Sequence, residues 1–136
     1  MRLNRSAIGA QRTGVMSDTK LGMDCAALVA ADGTTRCLPT DTADASNHFA
    51  DATCTTRIGR RTAGACAATH AVVLQNATCP VRRQILRLGA PHAGPVFEGA
   101  LDGSCRAAAA SPDWSYFAIG QEILPPEFVE LTAVLR

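Results

Sequence analysis

The chain has 136 residues, 13 basic and 12 acidic side chains, and a net charge of +1, which allows one domain, 1–136, and leaves little room for a second. Leu, Ile, Val and Phe together number only 28, so the interior is thin and cross-links weigh heavily in whether the chain folds. No apolar run reaches the roughly 18 residues of a membrane-spanning helix, which excludes a transmembrane segment of that kind.

Residues 1–14 carry charges but no continuous apolar stretch, so no secretory signal peptide is expected there. The first clear element follows at "CAALVAADGTTRC", Cys25 to Cys37. An apolar arm, an Asp32-Gly33 turn and a polar return predict a hairpin stapled by its own two cysteines, because Asp-Gly supplies the backbone a tight reversal needs.

The same grammar recurs downstream. Cys25, Cys54, Cys79 and Cys105 are separated by 29, 25 and 26 residues, and Gly89 with Gly120, Pro95 with Pro126, and Phe97 with Phe128 all stand 31 apart. Cut at these cysteines, the chain becomes about five units, 1–24, 25–53, 54–78, 79–104 and 105–136, each predicted as strand, Gly turn and strand. The segment 81–88 alternates imperfectly, but Pro80, Pro91 and Gly89 confine it and argue against a helix.

The predicted fold class is therefore all-β, with antiparallel hairpin repeats in about five two-stranded units, propeller-like first and barrel or sandwich second. If the five units form part of a larger ring, self-association would complete it.

Six cysteines complete the framework: Cys25, Cys37, Cys54, Cys66, Cys79 and Cys105. None form the close pairs of a zinc knuckle, and no Cys-x-x-Cys redox motif occurs, so all six are assigned to disulfides. Spacing favours Cys25–Cys37, Cys54–Cys66 and Cys79–Cys105, although six cysteines permit fifteen connectivities. Such bonds persist in oxidising compartments, which predicts an extracytoplasmic location.

Charge falls in blocks. Between Asp51 and Glu98 there is no acid, yet Arg57, Arg60, Arg61, Arg82, Arg83 and Arg87 lie there; from Glu98 to Leu135 six acids face Arg106 alone. A nucleic-acid partner is not expected, because the basic block lacks interleaved aromatics or a known module, and it is assigned to a solvated face.

Several segments together, Ser17 to Cys25, Ala31 to Pro39, Phe49 to Thr55 and Phe117 to Val129, resemble an uncharacterised Cys-rich family of secreted proteins and lipoproteins of myxobacteria. "DGTTRCLP" and "FADATCT" are the most specific parts. The resemblance implies an exported, envelope-associated protein and brings no mechanism. Members of that family are longer and carry an export signal, which implies that this chain is a shortened or fragmentary member.

No catalytic, cofactor-binding or metal-binding residue is assigned. Gly-x-Ser-x-Gly, His-Glu-x-x-His and Walker motifs are missing, and Asp41, Asp44 and Asp51 lack a calcium loop. The cluster Trp114-Ser-Tyr-Phe117 has the chemistry to stack a sugar ring, but in a chain with 4% aromatics it is expected in the core. Asn76-Ala-Thr78 matches a glycosylation sequon and is explained more simply as a turn.

The expected function is a noncatalytic exported module of the cell envelope, with an envelope component or glycan as partner. A secreted hydrolase with an unrecognised site is the alternative, and a cytosolic thiol or metal protein the third reading.

Overall fold

The computed structural model describes residues 2–3 and 16–132. Its elements are β1 (Arg2–Leu3), β2 (Met16–Asp18), β3 (Met23–Val29), β4 (Thr35–Pro39), β5 (Thr42–Asp44), β6 (His48–Phe49), β7 (Ile58–Thr62), β8 (His70–Gln75), β9 (Arg82–Pro91), β10 (Phe97–Gly99), β11 (Cys105–Ala107), β12 (Trp114–Ile123) and β13 (Leu131–Thr132). The only helical turn among the described residues is a 3₁₀ turn over Pro125–Glu127. The all-β, disulfide-supported class expected from the sequence is present, in its barrel form.

The chain divides into two compact units. The first comprises 1–41, 74–85 and 122–136. Here the antiparallel sheet β2-β3-β4 holds the predicted hairpin. Gly33 takes a φ of +81°, a conformation that costs an L side chain dearly, while Asp32 accepts the Thr34 N–H at 3.0 Å. Cys25 and Cys37 sit diagonally across β3 and β4, in the register Cys25↔Pro39 and Ala27↔Cys37, and are bonded with their Cα atoms 5.1 Å apart.

The outer edge of β4 is covered by a later segment. Cys37 donates its N–H to the Val129 carbonyl at 2.9 Å, and the Arg36 guanidinium donates to the Phe128 carbonyl at 2.9 Å and to Asp32. Leu38, Phe128 and Val129 are thereby sealed from solvent, and these large apolar groups form the interior of this unit with Met23 and Leu131.

The second unit comprises 42–73 and 86–121. Its centre is a closed barrel ordered β12-β7-β5-β8-β9, three of whose strands carry residues assigned to both units. A five-stranded barrel is narrow, since diameter grows with strand number and eight strands only just admit ordinary side chains. Small inward residues follow from that. Ala43 and Ala71 are paired across β5 and β8 and fully buried, and a Cβ on Gly59 would come within 2.9 Å of the Ala43 Cβ. Ala45, Ala71 and Val73 form a buried cluster with Leu86, Leu88 and Ile119 against it.

Gly89 and Gly120, linked in the sequence by their 31-residue offset, lie on β9 and β12, which close the barrel as neighbours. A Cβ on Gly89 would stand 2.9 Å from the Ala118 carbonyl oxygen, so this glycine permits the close approach of two backbones.

Beside the barrel strands in sequence lies the sheet β11-β10-β6. Asn47 clamps its end, its amide nitrogen donating to the Gly99 carbonyl at 3.0 Å and its oxygen accepting the Gly99 N–H at 3.2 Å. The register Phe49↔Phe97 and Gly99↔Cys105 carries Cys105 toward the loop after β6, and Cys54 bonds to it, Cα atoms 5.8 Å apart.

This corrects the expected pairing. Cys54 is joined to Cys105, 51 residues away, and not to Cys66; Cys66 and Cys79 are exposed thiols. Spacing along the chain favours local bonds, whereas sheet hydrogen bonding decided this one. Cys66 is turned to other use, its carbonyl accepting from Arg61 Nε at 2.7 Å.

Candidate functional site

Strand register assembles the most distinctive surface of the second unit. On β12, Trp114 and Tyr116 are two apart and share a face, and their partners across β7 are Thr62 and Arg60. Arg60 in turn faces Asp44 on β5. Since Ala43 points inward and is fully buried, Thr42 and Asp44 point to the outside. One outer face thus gathers an indole, a phenol, a guanidinium, a carboxylate and two hydroxyls.

Trp114 was expected in the core, yet it is 36% exposed. The Arg60 guanidinium carbon lies 3.9 Å from the indole centroid, a close cation–π stack. Around them is a cleft of about 320 Å³ lined by Thr42, Asp44, Arg60, Arg61, Thr62 and Trp114, near the lower end of the range that small ligands occupy. Trp114 and Tyr116 also line a second cleft of about 320 Å³, walled by His92, Pro95, Val96 and Ala108.

The donors and acceptors differ in how far they are committed. Arg61 holds the cleft wall, donating to the Thr42 carbonyl at 2.9 Å as well as to that of Cys66. Among the described residues, no hydrogen bond or ion pair engages the Arg60 guanidinium. Asp44 accepts the Ser46 N–H through one carboxylate oxygen at 2.9 Å. In the second cleft His92 donates from Nε2 to the Pro95 carbonyl at 2.9 Å, which bends 92–95 into its rim.

Next to this face is a buried histidine. His48 is 5% exposed, its ring 5.9 Å from that of Tyr116, and its Nδ1 has no partner among the described residues. Burial first, then the Arg60 charge, hold this imidazole below the ordinary value of 6.5, against the opposing pull of Asp44 and Glu98. His70 is shifted the same way by burial and by Arg87.

A base with a depressed folded pKa takes its proton first in the unfolded chain, so stability is full above about pH 6.5 and falls as pH drops below it. We expect the urea midpoint to decline between pH 7.5 and pH 5 and the decline to shrink in His48→Gln. A wild-type midpoint that is flat over this interval would contradict the assignment. The carboxylate phase comes later, because hydrogen bonds from Thr53 and Thr55, followed by the Thr56 N–H, hold the exposed Asp51 well below the usual carboxylate range.

Asp41 lines neither cleft, and Asp51 is occupied in its own loop, where it accepts from Thr53, Thr55 and Thr56. Among the described residues no three His, Cys, Asp or Glu side chains converge as a metal would require. No described helix is long and apolar enough to cross a membrane, which says nothing of spanning strands. The two disulfides are bonds of an oxidising environment.

A family model described as a family of unknown function, DUF7481, matches residues 1–128. The chain belongs to the DUF7481 family. No curated protein and no solved structure matches it. The Trp114 face is the most distinctive surface of this DUF7481 member; its aromatic cluster is visible in the sequence, but its pairing with Arg60 and Asp44 comes from the strand register.

Proposed function

We propose that this chain is a noncatalytic, exported module of the cell envelope that binds carbohydrate on the Trp114 face. The observation that carries the proposal is a solvent-accessible indole, stacked by Arg60, between two clefts in a chain that otherwise has few aromatics. Sugar rings offer an apolar C–H face and a rim of hydroxyls. Trp114 and Tyr116 complement the first, while Arg60, Asp44, Thr42 and Thr62 complement the second. The disulfides support export to a compartment where they persist, and the family resemblance agrees with an envelope address.

The test is a glycan array and an envelope pull-down, run beside a broad hydrolase screen on the same protein. Binding without turnover is expected, and Trp114→Ala should weaken it at least tenfold, about 1.4 kcal/mol, while changing the urea midpoint little. Turnover of any glycoside or ester would favour the hydrolase alternative. Binding that survives Trp114→Ala unchanged would move the site elsewhere.

A further inference from the structure

We infer that the site selects acidic sugars, the ring carboxylate of a uronic acid docking on Arg60; this rests on the carbohydrate reading above. Arg60 is half-buried, and its guanidinium carbon lies over the Trp114 ring, 3.9 Å from the centroid. A guanidinium is always charged and presents its N–H groups in a fork that matches a carboxylate two bonds at a time. Among the described residues those donors have no hydrogen-bonding or ion-pairing partner. The neighbouring basic group of the cleft, Arg61, differs, since it is anchored to two backbone carbonyls.

The rest of the cleft sets an orientation. Asp44, opposite Arg60 on the adjacent strand, repels a carboxylate and accepts hydroxyl protons, so the acidic end lies toward Arg60 and the hydroxyl rim toward Asp44. Thr42 and Thr62 flank both and serve either as donor or as acceptor. The stretch from residue 52 to 97, which includes β7, contains no acidic residue, so along its own strand and flanking loops Arg60 has only basic charged neighbours. A neutral sugar would leave the Arg60 fork without a charge partner.

The probes are an oligogalacturonate and its methyl ester, which share the sugar ring and differ in charge, titrated calorimetrically into the full chain at pH 7. The acid form is expected to bind about tenfold or more tightly than the ester. Arg60→Gln should abolish that preference, so that acid and ester bind alike in the variant, and Arg60→Lys should retain only part of it. Unchanged far-ultraviolet dichroism and urea midpoint in both variants show that folding is preserved. If Arg60→Gln does not fold, Arg60→Lys carries the comparison.

Equal binding of acid and ester, or selectivity that persists in Arg60→Gln, overturns the acidic-sugar inference and leaves the carbohydrate reading standing. If the array finds only neutral glycans, the inference falls in the same way. If neither probe nor any glycan on the array binds, the carbohydrate reading falls and takes this inference with it. Tight binding of some other anionic sugar, lost in Arg60→Gln, supports the same chemistry from a different source.

Discussion

Replacing Cys54 and Cys105 together by serine is expected to lower the unfolding free energy by about 4 kcal/mol, since a bond across 51 residues removes much loop-closure entropy from the unfolded chain. The same change at Cys25 and Cys37, 12 residues apart, should cost about 3 kcal/mol. Serine at Cys66 or Cys79 touches no bond and should stay within about 0.5 kcal/mol. Urea titrations of the four proteins check the ranking. Thiol counting in denaturant without reductant should return two free thiols per chain, those of Cys66 and Cys79. A Cys66 variant as damaged as a Cys54 variant would restore the local pairing that spacing suggests.

Phe128→Ala is the second large effect, expected at about 3–5 kcal/mol. The ring is 1% exposed, and its own carbonyl accepts from Arg36 while the next carbonyl accepts from Cys37. Truncation therefore leaves a void at the point where the segment after the 3₁₀ turn is laid along β4, and loosens the hydrogen bonds on either side of it. Hydrogen exchange provides the specific readout, because the Cys37 amide should lose protection while amides of the Asp32-Gly33 turn change less. A Cys37 amide as protected as in the unsubstituted chain, with a loss below about 1 kcal/mol, would show that Phe128 is not an anchor.

What could be read from the sequence was what local chemistry decides. The hairpin between Cys25 and Cys37 was legible because the Asp32-Gly33 turn, the two arms and the staple all lie within 13 residues, and each level agrees with the others. The partner of Cys54 was not legible, because it is delivered by the pairing of β6, β10 and β11, whose register is a property of the assembled sheet.

Gly89 and Gly120 lie between these cases. Their constant offset was visible, but it marks two neighbouring barrel strands in close approach, a relation that a search for repeats does not distinguish from duplication. The scarcity of large apolar residues finds its explanation in the same barrel, whose narrow lumen is filled by Gly59, Ala43 and Ala71. Trp114 was expected inside because large aromatics usually are; its register opposite Thr62 sets it on the outer face, beside an arginine that the sequence alone assigns to plain solvation.

The chain has a single tryptophan, and that residue lies between both clefts with a cation resting on its ring. Its tryptophan fluorescence therefore comes from one place only. A ligand that draws Arg60 off the indole, or dries the ring, shifts emission intensity and wavelength without any attached dye, and quenching by iodide or acrylamide measures how much of the ring remains open. The molecule carries its own optical reporter at the position where an occupant would announce itself.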